Sequence, residues 1–407
     1  MLAKLIALLL LVIPLYPKFP ILGVSGTFVS IRLEDFLIAA VFLIFLLRKP
    51  SFSNRPILLY LFIGLVSTFS AITLTKSVSL NQGLLHFFRR VEYMSLFFVG
   101  FSFLKSLSQL SFLIRSILVT ALLVALYGLG QQFLGFPVIT TTNSEFSKGL
   151  ALTLGQNARI NSTFAGHYDL AAYTVFPLLL ILGLLSLPST RYKPALLFLG
   201  LLVYWTLLLS ASRVTFAAFY LVAFTFVWLI GKKVWIPLLM ILAFFSVLVS
   251  PQLAGRYRQL IFPSAHAQVP VDEQTADALV PVAEDRSFNI RLRAEWPRAL
   301  RAFLKNPVLG TGYSSVGLAV DNDYLRALAE TGILGLLAFL LVIIRFFKTT
   351  PIFRPSLESV FILAATLSLC SLLLNALFID VFEASKIALL TWLTLGLAEK
   401  TKILMQS

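Results

Sequence analysis

A chain of 407 residues that is 58% hydrophobic and only 13% charged, with a mean hydropathy of +0.91, carries too little charge for a soluble globular fold and reads as a polytopic membrane protein. Its formal charge of +15 then reflects topology, with basic residues in short loops, and does not point to nucleic acid. One cysteine, Cys370 inside an apolar run, and three histidines without metal-ligand spacing exclude a disulfide framework and a zinc cluster.

A helix that crosses a bilayer needs roughly 20 apolar residues. Twelve stretches meet or approach that length: 3–22, 31–47, 56–73, 91–104 (extending back through Leu84–Phe88), 112–134, 168–187, 195–210, 214–230, 234–250, 324–344, 357–376 and 381–398. Met1–Pro17 has a short positive start at Lys4 but no small-x-small cleavage site, so it reads as the first span rather than a signal peptide. With the N-terminus inside, Arg48, Lys49 and Arg55, then Lys232 and Lys233, then Arg345, Lys348 and Arg354 all fall in cytoplasmic loops. This is the positive-inside bias, and it puts both termini in the cytoplasm. The expected fold is an all-α polytopic membrane protein with about twelve transmembrane helices. It divides into spans 1–9 with an outer loop at 135–167 (residues 1–250), a long extracytoplasmic loop (251–323) and spans 10–12 (324–407).

The outer segments carry the polar chemistry. Residues 135–167 are Thr/Asn-rich, and Ser210–Arg213 makes a tight turn between two spans. In the long loop, Gln252–Phe262 carries Arg256 and Arg258, while Pro263–Asp285 lacks a periodic apolar face and is expected to be a mobile insert. Phe288–Leu304 differs from both. Ile290, Trp296, Leu300, Phe303 and Leu304 share a helical stripe with Arg291, Arg293, Arg298 and Arg301 around it, so this helix should lie on the membrane surface.

Each candidate residue has a plainer alternative. Arg213 ends an apolar span, where a charge is costly unless solvated or paired; the alternative is an anchor whose stem snorkels. Arg159, in NARINSTF, offers a planar fork suited to phosphate oxygens, or simply ties its loop together. Arg291 and Arg293 splay by about 200°, so only one can face a pocket. Arg89 and Arg90 invite a solvated or headgroup-facing reading. Gly310 and Gly312 leave room for backbone N–H groups to approach an anion, without Walker spacing. One of Asp321, Asn322 and Asp323 should cap the following helix, leaving a second carboxylate able to accept a proton from a hydroxyl. Glu330 should pair with Arg326 four residues before it, and at membrane depth it could also orient neighbouring groups. His167 stands where an outer loop enters a span; His266 lies in the insert.

Four motifs in this order resemble the O-antigen ligase and O-antigen polymerase superfamily: RINSTFAGHYDLAAY, LLLSASRVTFAAF, NIRLRAEWPRALRAFLKNPVLGTGYSS and DNDYLRALAETGILG. The resemblance covers roughly 158–335. It implies a GT-C-like glycosyltransferase in the bacterial inner membrane, acting at the extracytoplasmic face on an undecaprenyl-pyrophosphate-linked glycan donor and a saccharide acceptor, within membrane lipid. Carried over by residue, Arg213 and Arg291 would meet the donor pyrophosphate, with Arg293 as the fallback. Arg159, His167, Asn322 and Glu330 would line the substrate site. Asp321 falls where the ligases place a histidine, a departure that favours the polymerase-type members.

Metal-independent inverting transfer is expected, with arginines supplying the countercharge; near them only Asp321 and Asp323 form a close acidic pair. No cofactor is expected. A ligase that attaches glycan to a lipid, protein or wall acceptor is the nearest alternative. A lipid-linked oligosaccharide flippase or other transporter is the alternative of another class, disfavoured because the polar residues gather on one side rather than through the middle of the spans.

Overall fold

The computed structural model describes residues 2–16, 20–23, 30–48, 52, 54–138, 159–250, 254–255, 290–317, 320–349 and 353–406. Arg256, Arg258, His266, the proposed insert and most of the loop at 135–167 lie outside the described residues. Thirteen α-helices are found among those described: α1 Leu2–Leu15, α2 Leu33–Leu47, α3 Arg55–Ser70, α4 Leu80–Phe103, α5 Leu107–Phe133, α6 His167–Ser186, α7 Lys193–Ser210, α8 Arg213–Leu229, α9 Trp235–Val249, α10 Trp296–Lys305, α11 Asp323–Lys348, α12 Leu357–Asn375 and α13 Ser385–Leu404. All but α10 fall on the twelve apolar stretches. Six are long and apolar enough to cross a membrane: α3 with its extension to Thr75, α5, α6, α7, α11 and α12. Helices α1, α8 and α9 are apolar but shorter.

One expected boundary needs correction near the N-terminus. The first span does not run to residue 22, because α1 stops at Leu15 and Pro20–Gly23 (β1) pairs antiparallel with Ser30–Arg32 (β2). The fold is therefore helical with one small hairpin. At 1.5 Å per residue, the 14 residues of α1 reach only about 21 Å, short of a ~30 Å hydrocarbon core.

Local chemistry sets the helix starts. Ser79, Ser212, Asn322 and Ser356 each accept a hydrogen bond from a first-turn backbone N–H, the group that an isolated helix leaves unpaired. The main apolar core is formed by α1–α9 and α11–α13, with Phe45, Phe103, Phe226 and Phe361 almost fully enclosed. Helix α13 packs along α4, and α12 packs against α6, α8 and α13.

One helix is broken. Gly332 in α11 has φ +66° and ψ −169°, which ends the helical ladder for one turn. The freed groups are satisfied by the Asn306–Gly312 turn. Thr311 and Gly312 N–H donate to the carbonyls of Ala329 and Glu330 (2.8 and 2.9 Å), and Ile333 N–H donates to Pro307 O (2.9 Å). Ser67 Oγ adds a bond to Glu330 O at 2.6 Å, tying the break to α3. Backbone is tolerated away from helical geometry at this depth because neighbouring protein satisfies it.

This break overturns the anion-nest expectation for the glycine turn. The N–H of Gly310 is spent on Asn306 O (2.7 Å) and that of Gly312 on Glu330 O. Gly310 has φ +72°, and a Cβ there would sit 2.5 Å from the Glu330 backbone, so the glycine permits backbone-to-backbone packing rather than ligand approach.

Candidate active site

Helix α10 is preceded by a π turn, Arg291–Glu295, which turns Arg291 inward and leaves Arg293 exposed. Buried Arg291 donates to Asp321 Oδ2 through Nε at 2.9 Å and lies 2.8 Å from it through Nη2. Two residues singled out 30 positions apart thus form one ion pair. Burial alone would lower the Arg291 pKa, but the Asp321 carboxylate and Tyr168 raise it above its ordinary value, so it is a permanent cation.

Asp321 is held in a left-handed backbone conformation, φ +52°. Its support is a residue that the sequence reading did not single out. Asp380, in the 376–384 corner between α12 and α13, accepts the backbone N–H groups of Val320, Asp321 and Asn322 at 3.0, 3.0 and 3.1 Å. Arg326 Nη2 donates to the same carboxylate at 2.9 Å. Burial pushes the Asp380 carboxyl up, but Arg326 and the backbone donors outweigh it and hold the group below its ordinary value.

Asn322 proves to be the cap. Its Oδ1 accepts from Tyr324 and Leu325 N–H, and its Nδ2 donates to Leu377 O. Its side chain is thereby engaged in holding α11 to the corner. Asp323 is buried and accepts from Phe382 N–H at 3.1 Å. Glu330 pairs with Arg326 at 3.2 Å as spacing suggested, and also accepts from Ser314 N–H at 3.1 Å.

The solvated reading of Arg89 and Arg90 does not hold, since both are buried. Arg89 meets Asp35 (3.0 Å) and Glu92 (3.2 Å). Arg90 pairs with Glu383 in the corner, lies 3.7 Å from Glu330, and stands 5.0 Å over the Tyr313 ring. Together with Asp323, Arg326 and Tyr93, these groups line one cavity, whose other walls include Met94, Phe339, Phe382 and Trp392.

The second half of the constellation converges on the same corner. Arg159 Nη1 and His167 Nε2 are 2.8 Å apart, and the His167 ring lies 4.0 Å from that of Tyr168. Ile160 N–H reaches Leu209 O (3.3 Å) at the end of α7, four residues before Arg213. Arg213 is half-buried at the first position of α8, beyond Ala211 at φ +50°. Thr215 Oγ1 donates to Asn375 Oδ1 at 2.6 Å, and the adjoining Ala376 carbonyl accepts from Asp323 N–H at 2.9 Å. The Arg213 turn and the acidic turn are therefore fastened to neighbouring residues of one corner. Among the described residues, no group of three or more His, Cys, Asp or Glu side chains is placed to hold a metal ion.

Fold and site define a polytopic helical membrane protein with ionised side chains gathered at one end of its bundle. Residues 195–340 match the family model described as O-antigen ligase, a match that supports the resemblance to the O-antigen ligase/polymerase superfamily, whose ligase members are glycan-transferring enzymes. The matched stretch runs from α7 through α11 and includes Arg213, Arg291, Asp321 and Glu330. No curated protein matches the chain.

Proposed function

We propose that this protein is a glycosyltransferase that extends or transfers an undecaprenyl-pyrophosphate-linked oligosaccharide at the outer face of the cytoplasmic membrane. The observation that carries the reading is the partly buried Arg291–Asp321 pair, with Arg213 and the Arg159–His167 pair fastened to the same end of the bundle. An acceptor sugar hydroxyl attacks the anomeric carbon from the side opposite the leaving group, inverting the centre. Its proton passes to a base, and the C–O bond to undecaprenyl pyrophosphate breaks. Arg291 and Arg213 stabilise the charge that builds on the pyrophosphate, in a site whose cations are already in place. Asp321 orients or deprotonates the acceptor hydroxyl, which requires that incoming pyrophosphate draw Arg291 away from it.

Polymerisation is the first reading, because an aspartate stands where the ligases are expected to have histidine. Ligation to a separate acceptor is the second, supported by the description of the matching family. Purified protein given lipid-linked repeat units alone separates them. Chain growth without added acceptor supports polymerase; transfer only on adding an acceptor supports ligase. Turnover in neither condition, with folded protein, removes the enzyme reading. Repeat units trapped at the cytoplasmic face of cells lacking the protein would favour a flippase.

A further inference from the structure

Helix α10 is fixed at both ends and open along one side. In the turn that leads into it, Arg291 holds Asp321. At its end, Asn306 Nδ2 donates to Ser70 Oγ (3.3 Å), and the following turn is bonded into the break of α11. Its inner side is apolar: Ala299 is enclosed with Val316, Val320 and Ala329, and Trp296 and Ala302 pack around them. Ala329 lies six residues into α11, about 9 Å along its axis, so α10 sits within one or two turns of where that span begins.

The outer side has two strips. Leu300 and Leu304, which is 71% exposed, lie some 40° apart on a helical projection, and exposed Val308 follows in the turn. Exposed Arg301, Lys305 and Arg298 occupy the next ~60° of the helix surface. An apolar strip flanked along one side by cations, at the level where a span begins, is the pattern of a helix lying in a bilayer interface beside negative headgroups.

We infer that this face of α10 docks on the anionic phospholipid headgroups of the surrounding leaflet, and that docking holds the turn bearing Arg291 at the site, where the side chain can pass from Asp321 to incoming pyrophosphate. Charge complementarity selects the occupant: each basic side chain near an anionic surface favours the docked state by about fivefold. The link to glycan transfer rests on the site reading above; the docking itself does not.

The test uses the full-length protein with Cys370→Ser and Leu304→Cys, labelled with bimane and placed in nanodiscs of phosphatidylcholine alone or mixed with phosphatidylglycerol. Brominated lipid should quench the label more strongly when phosphatidylglycerol is present, and Arg301→Gln with Lys305→Gln should remove that difference. Absent quenching, or equal quenching in both lipids, overturns the inference. Protection that instead rises with the protein-to-lipid ratio indicates a second copy on this face and overturns it too. Transfer, measured in parallel, should rise several-fold with phosphatidylglycerol in the parent and stay flat in the double variant. Equal lipid dependence in both overturns the coupling. Absence of transfer in every bilayer counts against the enzyme reading, while the fluorescence result still decides docking.

Discussion

Asp380 and Asp321, 59 residues apart, are joined by a hydrogen bond from the backbone of one to the carboxylate of the other at 3.0 Å. The same carboxylate takes the N–H groups on either side, so one acidic side chain shapes the turn that presents another to Arg291. Asp380→Ala removes the acceptor and strips Arg326 of a carboxylate partner. Loss of one member of a buried pair costs roughly 3–5 kcal/mol. Thermal unfolding in detergent should show a large fall in Tm, with a smaller one for Asp380→Asn.

The depressed Asp380 pKa also gives that stability a pH dependence of known sign. A carboxylate held below its unfolded value stabilises fully above that value, near pKa 3.9, and the contribution is lost as pH falls through the lower folded value. The acid limb of the Tm–pH curve should therefore flatten in Asp380→Asn, with the two proteins converging at the lowest pH. Parallel limbs would contradict this assignment.

Arg291→Ala and Arg213→Ala should each slow glycan transfer by about 10²–10³-fold, the usual cost of one preorganised donor to a developing anion. Arg291→Lys should recover only part of the rate, because a point charge does not reproduce the planar fork. Steady-state assays on protein of unchanged expression and Tm decide this. Asp321→Asn separates roles: retention of most activity means positioning, and loss means a base.

Gly332→Ala tests the break in α11. The residue would be strained at φ +66°, and its Cβ would fall 2.7 Å from Gly310 N. A destabilisation of about 1–3 kcal/mol for a forced backbone conformation is the minimum expected. A Tm unchanged from the parent would show that α11 passes through this point as continuous helix.

Arg90 and Glu383, 293 residues apart, tie α4 to the corner. Arg90→Ala and Glu383→Ala should each lower Tm and transfer, and their effects should be strongly non-additive in the double variant. Additive losses would mean that the pair is not coupled.

The helices were legible because apolar runs of span length are long-range signals that need no partner to be recognised. A cap among Asp321, Asn322 and Asp323, the Arg326–Glu330 pair at i,i+4, and the inward turn of only one of Arg291 and Arg293 were legible for a related reason: each depends on spacing within one helix, which did not say that the cap would be Asn322 or the inward arginine Arg291. Asp380 and Glu383 were not. They lie in NALFIDVFEAS, a corner too short for any periodicity, and their meaning comes from partners up to 293 residues away. Gly332 was hidden because ETGILG reads as uninterrupted helix, and only the pairing with residues 307–312 makes a break affordable. Arg89 and Arg90 misled for the opposite reason: Glu92 is close in sequence to Arg89, but Asp35 and Glu383, which help to bury the two arginines, lie 54 and 293 residues away.

The interrupted ladder of α11 bears on how the protein is made. Carbonyls at Ala329 and Glu330 and the N–H of Ile333 have their partners in a segment synthesised before them, at 307–312. A nascent α11 that entered lipid alone would either close into straight helix or carry bare peptide groups into hydrocarbon. Its native shape is therefore available only after α3 and the Asn306–Gly312 turn have assembled beside it. This makes the neighbours of α11, and not hydrophobicity alone, what fixes the geometry of its break.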